Sequence, residues 1–360
     1  MKQALQKKIR VAVLFGGKST EHEVSIQSAR NIVRTLDTSR YEVVLIGIDK
    51  NGTWIPCDES RLFLANEVSS SKKESDSDIV RAQHGITREK LLETIDVVFP
   101  ALHGSFGEDG TMQGFLTLVN IPFVGAGVLG SAIGMDKDVS KRLLHDADIP
   151  IARFLVCKKH EKEQFSFEKL EHELGVPFFI KPANLGSSVG VAKVHNTEEY
   201  TIALNTAFSY DDKILAEEYI RGREIECAVL GNETLRVSVC GEIVSHHSFY
   251  SYEAKYLDTD GATLIIPADI SESLSQKIQT LARKVFEVLC CEGMARVDFF
   301  VTDDERIFVN EINTIPGFTS VSMYPKLWEA SGISYENLIN TLIELAQERF
   351  HKKETLRTSA

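Results

Sequence analysis

Two short apolar segments separated by an amphipathic segment begin the chain, and they constrain its fold more than any other feature. Residues 9–15 and 41–48 are apolar runs, and residues 25–36 between them have apolar side chains at helical spacing. A strand, a helix and a second strand in this order are the unit of a parallel sheet covered by helices. A similar strand pattern recurs at residues 96–102. We therefore expect residues 1–135 to form a doubly wound α/β domain.

The length of the chain argues for more than one domain. It has 360 residues, and single hydrophobic cores rarely grow beyond about 250–300 residues. We expect an α+β unit at residues 136–222 and a second α+β unit, with longer strands, at 223–350. A frayed polar tail is expected at 351–360. Residues 66–90 are dominated by serine, lysine and acidic residues, which is typical of a surface insertion.

Composition excludes several classes of partner. The formal net charge is −12 and no run of lysine or arginine occurs, whereas proteins that bind nucleic acid present a basic face. No apolar run approaches the length of a membrane span. The N-terminal apolar stretch is too short for a signal peptide and is better interpreted as a first strand. Six scattered cysteines without a CxxC motif indicate a reduced, cytoplasmic protein.

The strongest functional signal lies in two late strands. Arg296 and Asp298 are two residues apart, as are Glu311 and Asn313, and alternate residues of a strand face the same side. If the strands pair as a hairpin through residues 302–306, the oxygens of Asp298, Glu311 and Asn313 converge. Hard oxygen ligands suit Mg²⁺, which usually shares them with substrate phosphates. The alternative is a solvated strand face with a salt bridge between Asp298 and Arg296.

A glycine- and serine-rich loop follows a lysine at the end of a short strand. Lys181 ends the apolar segment 177–180 and precedes Asn-Leu-Gly-Ser-Ser-Val-Gly-Val at residues 184–191. Backbone N–H groups of such loops bind phosphate oxygens, and a lysine adds a positive charge. The order differs from a Walker A loop, in which the lysine follows the glycines. A plain glycine hairpin is the alternative.

Four further segments are candidates for a ligand site. Residues 16–25 and 103–110 each follow a strand of the parallel sheet, and ligands bind at the carboxyl ends of such strands. Residues 215–224 offer carboxylates and backbone groups to a nucleotide. Residues 245–260 are aromatic and charged, as in a lid that excludes water. For each segment, an ordinary solvated loop is the alternative.

Eight segments, in this order along the chain, resemble the D-alanine–D-alanine ligases of the ATP-grasp superfamily. They are GGKSTEHEVS, HGSFGEDGTMQG, GMDKDVSK, IKPANLGSSVGV, EEYIRGREIE, YSYEAKY, RVDFF and NEINTIPGFTSVSMYP. The resemblance spans residues 11 to about 345. It implies an ATP-grasp fold of α/β and α+β units, with an N-terminal doubly wound parallel-sheet domain and with ATP between the second and third domains.

The resemblance also implies a reaction. The carboxylate of one D-alanine attacks the γ-phosphate of ATP to form an acyl phosphate, and the amine of a second D-alanine then displaces phosphate. It further implies ATP as a substrate, two Mg²⁺ or Mn²⁺ ions, a cytoplasmic location and a homodimer. Neither a membrane nor a nucleic acid is expected as a partner.

Individual roles follow from the resemblance, position by position. ATP phosphates are expected at Lys137, Lys181 and Ser187. Adenine and ribose are expected at Glu217, Tyr219, Ile220 and Glu224. The metal ions are expected at Asp298, Glu311 and Asn313. The two D-alanine molecules are expected at Glu21, His103, Lys255, Gly317 and Ser322. The residues expected to be catalytic are Glu21, Ser187, Lys255, Tyr256 and Arg296.

Arg296, together with the Gly317 N–H, would stabilise the oxyanion that forms when the second amine attacks the acyl phosphate. Ser187 and Tyr256 would form a hydrogen-bonded link to Glu21 that holds the lid shut. Tyr256 also fits the peptide-forming type of ligase rather than the type that uses D-lactate.

Three other interpretations remain open. One is an ATP-grasp ligase of D-alanine–D-lactate or D-serine type. Another is a nicotinamide-dependent oxidoreductase built on the first βα turn, although GxGxxG and its matched acidic residue are absent. The last is a non-catalytic nucleotide-binding protein.

Overall fold

A computed structural model of the protein describes residues 7–58, 92–246 and 261–357. The described strands are β1 (Ile9–Gly16), β2 (Tyr41–Ile48), β3 (Trp54–Cys57), β4 (Val97–Ala101), β5 (Phe154–Lys158), β6 (Phe178–Pro182), β7 (Ala192–Val194), β8 (Lys213–Glu218), β9 (Arg223–Gly231), β10 (Arg236–Ser245), β11 (Ala262–Ile265), β12 (Gly293–Val301) and β13 (Ile307–Asn313). The described α-helices are α1 (His22–Thr35), α2 (Thr111–Leu118), α3 (Val128–Met135), α4 (Lys137–Asp146), α5 (Phe167–Leu174), α6 (Thr197–Tyr210), α7 (Glu272–Val288), α8 (Met323–Ala330) and α9 (Tyr335–Glu354). Within these ranges, no helix combines the length and the apolar character that crossing a bilayer requires.

The N-terminal sheet has the strand order β3-β2-β1-β4. Strand β1 runs parallel to both β2 and β4, as the strand–helix–strand pattern predicted. Val11 and Val13 of β1 are buried in one core, whereas Ala12 and Leu14 are buried in another on the opposite face. Both faces are therefore covered, as expected of a parallel sheet. The edge strand β3 is antiparallel to β2, a reversal that the sequence pattern did not indicate.

The central sheet is antiparallel throughout, with the order β5-β8-β6-β7. Helices α5 and α6 pack on it through Leu170 and Ala207, which share a core with Ile180. Val189 and Val191 are apolar, but strand β7 begins only at Ala192. The reason is local, because Gly190 has a φ of 72° and the chain is still turning there.

The C-terminal sheet is also antiparallel, with the order β11-β10-β9-β12-β13. Helix α7 covers one face, and Leu144 and Ile149, which lie in and just after α4, pack in the same core. Helices α8 and α9 cover the other face through Trp328 and Leu342. That second core also contains Val11 of the N-terminal sheet, so the first and last sheets are joined by continuous packing.

The end of the chain differs from the expected frayed tail. Helix α9 continues to Glu354, and its last turn carries His351, Lys352 and Lys353. Positive charges stabilise a helix C-terminus, and Lys353 also lies 3.5 Å from Glu292. The expected insertion at residues 66–90 and the expected lid, beyond His246, lie outside the described residues.

Candidate active site

The described elements enclose one deep cleft of about 620 Å³. Its walls come from loops after β1 and β4, from the start of α4, from the Gly/Ser loop after β6, and from the strands and loops of the C-terminal sheet. The predicted site residues that line it are Glu21, His103, Lys137, Ser187, Glu224, Arg296, Asp298, Glu311, Asn313, Gly317 and Ser322. Residues from the first, second and third expected domains therefore meet at one place.

Strands β12 and β13 form the predicted hairpin and bring the proposed metal ligands together. Asp298 lies directly opposite Glu311, and Arg296 lies directly opposite Asn313. The register shifts between Asp298 and Phe299, which marks an irregularity in the ladder beside the site. The sequence-based expectation that these side chains converge is confirmed.

Arg296 is held at the head of the cleft by two carboxylates. Its Nε and Nη2 donate to the two oxygens of Asp298, each at 2.7 Å, and its Nε lies 2.9 Å from Glu226 Oε2. Burial lowers the pKa of Arg296, but the charges of Asp298 and Glu226 outweigh it and keep that pKa well above its usual range. The guanidinium is thus permanently charged and fixed in orientation. The salt bridge between Asp298 and Arg296 that we considered as an alternative is present.

Lys137 connects three parts of the site. It is the first residue of α4, whose N-cap Asp136 accepts hydrogen bonds from the next turn. Its Nζ donates to the Leu185 carbonyl at 2.6 Å, and lies 3.3 Å from Glu311 Oε2. A lysine between the Gly/Ser loop and a carboxylate that is expected to bind metal is suitably located to contact a phosphate group.

Lys181 and Glu217 do not line the cleft in this structure; they form a buried charge cluster behind it. Glu217 Oε2 lies 2.9 Å from Lys181 Nζ and 3.0 Å from Lys141 Nζ. Burial raises the pKa of Glu217, but the two ammonium groups outweigh burial and hold that pKa below its usual value. Burial in turn lowers the pKa of Lys141. Glu217 is therefore placed to set the position of two lysines.

Tyr219 and Ile220, expected at the adenine, are also outside the residues that line the cleft. The Tyr219 side chain is partly exposed, with Lys193 Nζ 3.7 Å from the centre of its ring. Lys255 and Tyr256 lie outside the described residues.

Glu21 is buried where the N-terminal and central units meet. The Ser187 hydroxyl donates a hydrogen bond to its carboxylate, as the resemblance implied. Ser187 and Ser188 have φ values of 52° and 59°, a left-handed backbone that turns the Gly/Ser loop toward Glu21. A Cβ atom at Gly104 would lie 2.9 Å from Glu21 Oε2 and closer still to Ser19 Oγ, so this approach requires glycine.

His103 joins the N-terminal loop to the loop after β13. Its Nδ1 lies 3.1 Å from the Ile315 carbonyl and 3.5 Å from Glu108 Oε1, and its Nε2 lies 2.9 Å from Ser28 Oγ. Because Nδ1 faces two acceptors, we assign it the proton of the neutral ring. Burial raises the pKa of Glu108 to about 7. Burial lowers the pKa of His103, but Glu108, Glu21 and the Ile315 carbonyl together raise it by more.

The raised pKa values of Glu108 and His103 lead us to predict that the stability of the protein depends on pH. Glu108 in the native protein binds a proton up to about pH 7, whereas its unfolded pKa is near 4.5, so the unfolded state binds fewer protons between these values. The free energy of unfolding must therefore fall as pH rises through this window. His103, with its raised pKa, acts in the same direction.

As the pH rises from 4.5 to 7, we expect the free energy of unfolding of wild type to fall relative to that of Glu108→Gln. The expected fall is about 1.4 kcal/mol for each unit by which folding raises the Glu108 pKa. Urea unfolding of both proteins at several pH values measures this. Parallel stability curves would contradict the assignment.

Gly317 and Ser322 lie side by side at the far end of the cleft. A Cβ atom at Gly317 would lie 2.7 Å from Ser322 Oγ. Ser322 is the N-cap position of α8, and its hydroxyl accepts a hydrogen bond from the Thr319 N–H at 3.0 Å. A hydroxyl at a helix N-terminus is a suitable contact for a carboxylate.

The donor set of the cleft fits divalent cations. Six carboxylates are among the described lining residues, against the three fixed cations Lys137, Arg296 and Lys326. The lining carboxylates are those of Glu21, Glu108, Glu224, Glu226, Asp298 and Glu311. Asp298, Glu311 and Asn313 supply hard oxygen atoms of the kind that Mg²⁺ prefers. In the described part of the chain, however, no three His, Cys, Asp or Glu side chains are already close enough together to hold an ion. In this structure Arg296 forms an ion pair with Asp298, and Lys137 forms one with Glu311.

Sequence reasoning assigned no role to three residues that line the cleft (Glu108, Glu226 and Lys326) or to Lys141 of the buried charge cluster. Lys141 could have been found because it lies one helical turn after Lys137 and shares its face. Glu226 could have been found because it alternates with Glu224 on one strand. Glu108 lies in the candidate segment 103–110, but no local pattern distinguished it within that segment, and none separated Lys326 from ordinary surface residues.

Comparisons with known proteins agree with this geometry. Residues 10–126 match the family model described as the D-ala D-ala ligase N-terminus, and residues 143–344 match that described as its C-terminus. A D-alanine–D-alanine ligase of Oceanobacillus iheyensis is 52% identical over 98% of this chain and 99% of its own length. D-alanine–D-alanine ligase A of Escherichia coli K12 is 49% identical, with the same coverage.

Solved structures give the same result. The D-alanine-D-alanine ligase from Coxiella burnetii has a TM-score of 0.83 and 41% identity, over 97% of both chains. The VanG D-Ala:D-Ser ligase from Enterococcus faecalis has a TM-score of 0.80 and 35% identity, over 94% of this chain and 100% of its own. Because two family models cover most of the sequence and the relatives match nearly its whole length, this chain belongs to the D-alanine–D-alanine ligase family.

Proposed function

We propose that this protein joins two D-alanine molecules into D-alanyl-D-alanine at the expense of ATP, as a step in building the peptidoglycan precursor. The observation that carries the proposal is the convergence, in one cleft, of a phosphate-contacting lysine, an oxygen-ligand pair and a fixed arginine. Lys137 Nζ lies 3.3 Å from Glu311, Glu311 lies opposite Asp298, and Asp298 binds Arg296. Phosphoryl transfer depends mainly on positioning and on charge neutralisation, which such a set provides.

The first step forms an acyl phosphate. Glu21, with His103 nearby, is assigned to the ammonium group of the first D-alanine. The carboxylate of that molecule attacks the γ-phosphate of ATP, and ADP leaves. Lys137 would contact the phosphate groups, together with Ser187 and the backbone of its loop. Lys181 is assigned to the same task, and reaching the phosphates requires it to extend from its pairing with Glu217. Glu224, which lines the cleft, is assigned to the ribose.

The second step forms the peptide bond. The amine of the second D-alanine attacks the acyl carbon, a tetrahedral oxyanion forms, and phosphate leaves. Arg296 and the Gly317 N–H are the groups we assign to that oxyanion. Ser322 and the N-terminus of α8 are assigned to the carboxylate of the second D-alanine, with Lys255. Tyr256 is assigned to the lid.

We further propose that two Mg²⁺ ions, or Mn²⁺ ions in their place, bind at Asp298, Glu311 and Asn313. When bound, such ions neutralise the charge of the phosphate groups and align them for transfer. We propose a homodimer as the assembly. We propose the cytoplasm as the location, because ATP is supplied there.

Product analysis tests the proposed activity. The purified protein with ATP, Mg²⁺ and D-alanine should release ADP and phosphate and form D-alanyl-D-alanine in equal amounts. L-alanine in place of D-alanine should give neither product, and omission of Mg²⁺ should stop both. Phosphate release without dipeptide would exclude ligation.

A D-serine acceptor is the second candidate, because one of the similar structures is a D-Ala:D-Ser ligase. Equimolar D-alanine and D-serine supplied as competing acceptors, with mass spectrometry of the products, separate the two. We expect the alanyl-alanine product to dominate. A mixed dipeptide in excess would reassign the acceptor.

A further inference from the structure

Three carboxylates form a row across three neighbouring strands at the head of the cleft. Asp298 on β12 lies directly opposite Glu226 on β9 on one side, and directly opposite Glu311 on β13 on the other. Like charges that face each other on adjacent strands repel. Arg296, two residues before Asp298 and on the same face, lies against this row and offsets the repulsion.

Two of these carboxylates hold Arg296 in different ways. Asp298 accepts two hydrogen bonds from the guanidinium, through Nε and Nη2. Glu226 approaches the same Nε from the neighbouring strand, at 2.9 Å. The side chains of Glu226 and Asp298 are 6% and 13% exposed, so solvent screens neither contact strongly.

The two carboxylates, Asp298 and Glu226, differ in whether they are also proposed to bind metal. Asp298 is a proposed metal ligand, so a divalent cation would compete with Arg296 for its oxygens. Glu226 is not among the proposed metal ligands, so a bound cation would not compete directly for its contact with the guanidinium. An arginine that depends on Asp298 alone would lose its anchor when the metal site fills.

We propose that Glu226 is a positioning residue that keeps Arg296 aimed at the reacting carbonyl while Asp298 serves the metal ions. The inference deepens the proposed ligase function and rests on it. A group that acts through Arg296 should matter in the transition state, where the oxyanion exists, and much less in the binding of ATP or D-alanine.

Glu226→Gln is the test, because glutamine preserves the shape of the side chain and removes its charge. The matched control is Glu242→Gln. Glu242 lies on the adjacent strand β10, is equally buried, and accepts two hydrogen bonds from Arg223, but it does not line the cleft. For both variants, kcat, the KM values for ATP and D-alanine, the melting temperature, and Mn²⁺ affinity in the presence of ADP by electron paramagnetic resonance are measured.

We expect Glu226→Gln to lower kcat about 10- to 100-fold, with both KM values and the Mn²⁺ affinity within about threefold of wild type. The control should keep the wild-type kcat. An unchanged kcat with a lowered melting temperature would make Glu226 merely structural. A Mn²⁺ affinity weakened tenfold or more would make it a metal ligand. A raised KM with unchanged kcat would make it a ground-state contact. Each of these three results overturns the proposal.

A second variant keeps the test decisive if Glu226→Gln does not fold. Glu226→Asp retains the charge but withdraws it from Arg296 by one methylene group, and it should lower kcat by a smaller factor. An unchanged kcat in Glu226→Asp also overturns the proposal. Failure of the ligase function itself is distinguishable, because wild type would then form no dipeptide.

Discussion

Asp298→Asn and Glu311→Gln should each lower dipeptide formation by on the order of 10³-fold or more while leaving the fold intact. Metal-ion stabilisation of transferring phosphate groups is worth several kcal/mol, and about 4 kcal/mol corresponds to that factor. The fold should persist because each amide keeps the volume of the carboxylate. Arg296 would still have Glu226, and Lys137 would still have the Leu185 carbonyl. Turnover measured over a range of Mg²⁺ concentrations, with circular dichroism and melting temperature, checks both parts.

Asp304→Asn is the matched control for these two variants. Asp304 lies in the turn of the same hairpin and pairs with Arg306, but it is exposed and outside the cleft. Loss of the Asp304 charge should leave turnover within about twofold of the wild-type rate, because exposed ion pairs contribute little to stability. A wild-type rate in Asp298→Asn or Glu311→Gln would refute the metal assignment. A rate restored by high Mg²⁺ would instead support it.

Glu217→Gln should produce the largest loss of stability of any single conservative change considered. Its carboxylate is the shared partner of Lys141 and Lys181, and all three side chains are nearly inaccessible to solvent. Removing one member of a buried ion cluster leaves uncompensated charge, which costs about 3–5 kcal/mol. Urea unfolding followed by circular dichroism measures the change in the free energy of unfolding.

A second substitution distinguishes the charge effect from a packing effect. Lys141→Met combined with Glu217→Gln removes a buried cation together with the anion, so the double variant should lose less stability than the sum of the single losses. Strictly additive losses would contradict the coupling. Glu199→Gln, in an exposed pair with His195 in the same unit, should leave the free energy of unfolding close to that of wild type.

Local patterns predicted the parts of this molecule that depend on periodicity. The apolar runs of β1 and β2 indicated parallel strands, and the alternation of Arg296 with Asp298 and of Glu311 with Asn313 placed these groups on one face. Asp136 is a residue type that favours an N-cap, and it caps helix α4 (Lys137–Asp146). Such features depend on residues close in sequence, so a single chain is sufficient to infer them.

Several features of the site came from the family resemblance rather than from periodicity. The contact between Ser187 and Glu21 joins residues 166 positions apart, and no local rule relates them. The resemblance anticipated this contact. It also placed Glu217 and Tyr219 at the adenine, whereas neither side chain lines the cleft of this structure.

The sequence by itself therefore determined the parallel first sheet, the hairpin that carries Asp298, Glu311 and Asn313, and the place of Lys181 before the Gly/Ser loop. Only the tertiary structure decided that Glu217 binds two buried lysines, that the Glu108 carboxylate lies 3.5 Å from His103, and that Glu226 approaches Arg296 from the next strand. The physical reason is that burial and charge pairing depend on which distant segments pack together. Strand register and core packing set those distances, and local periodicity does not encode them.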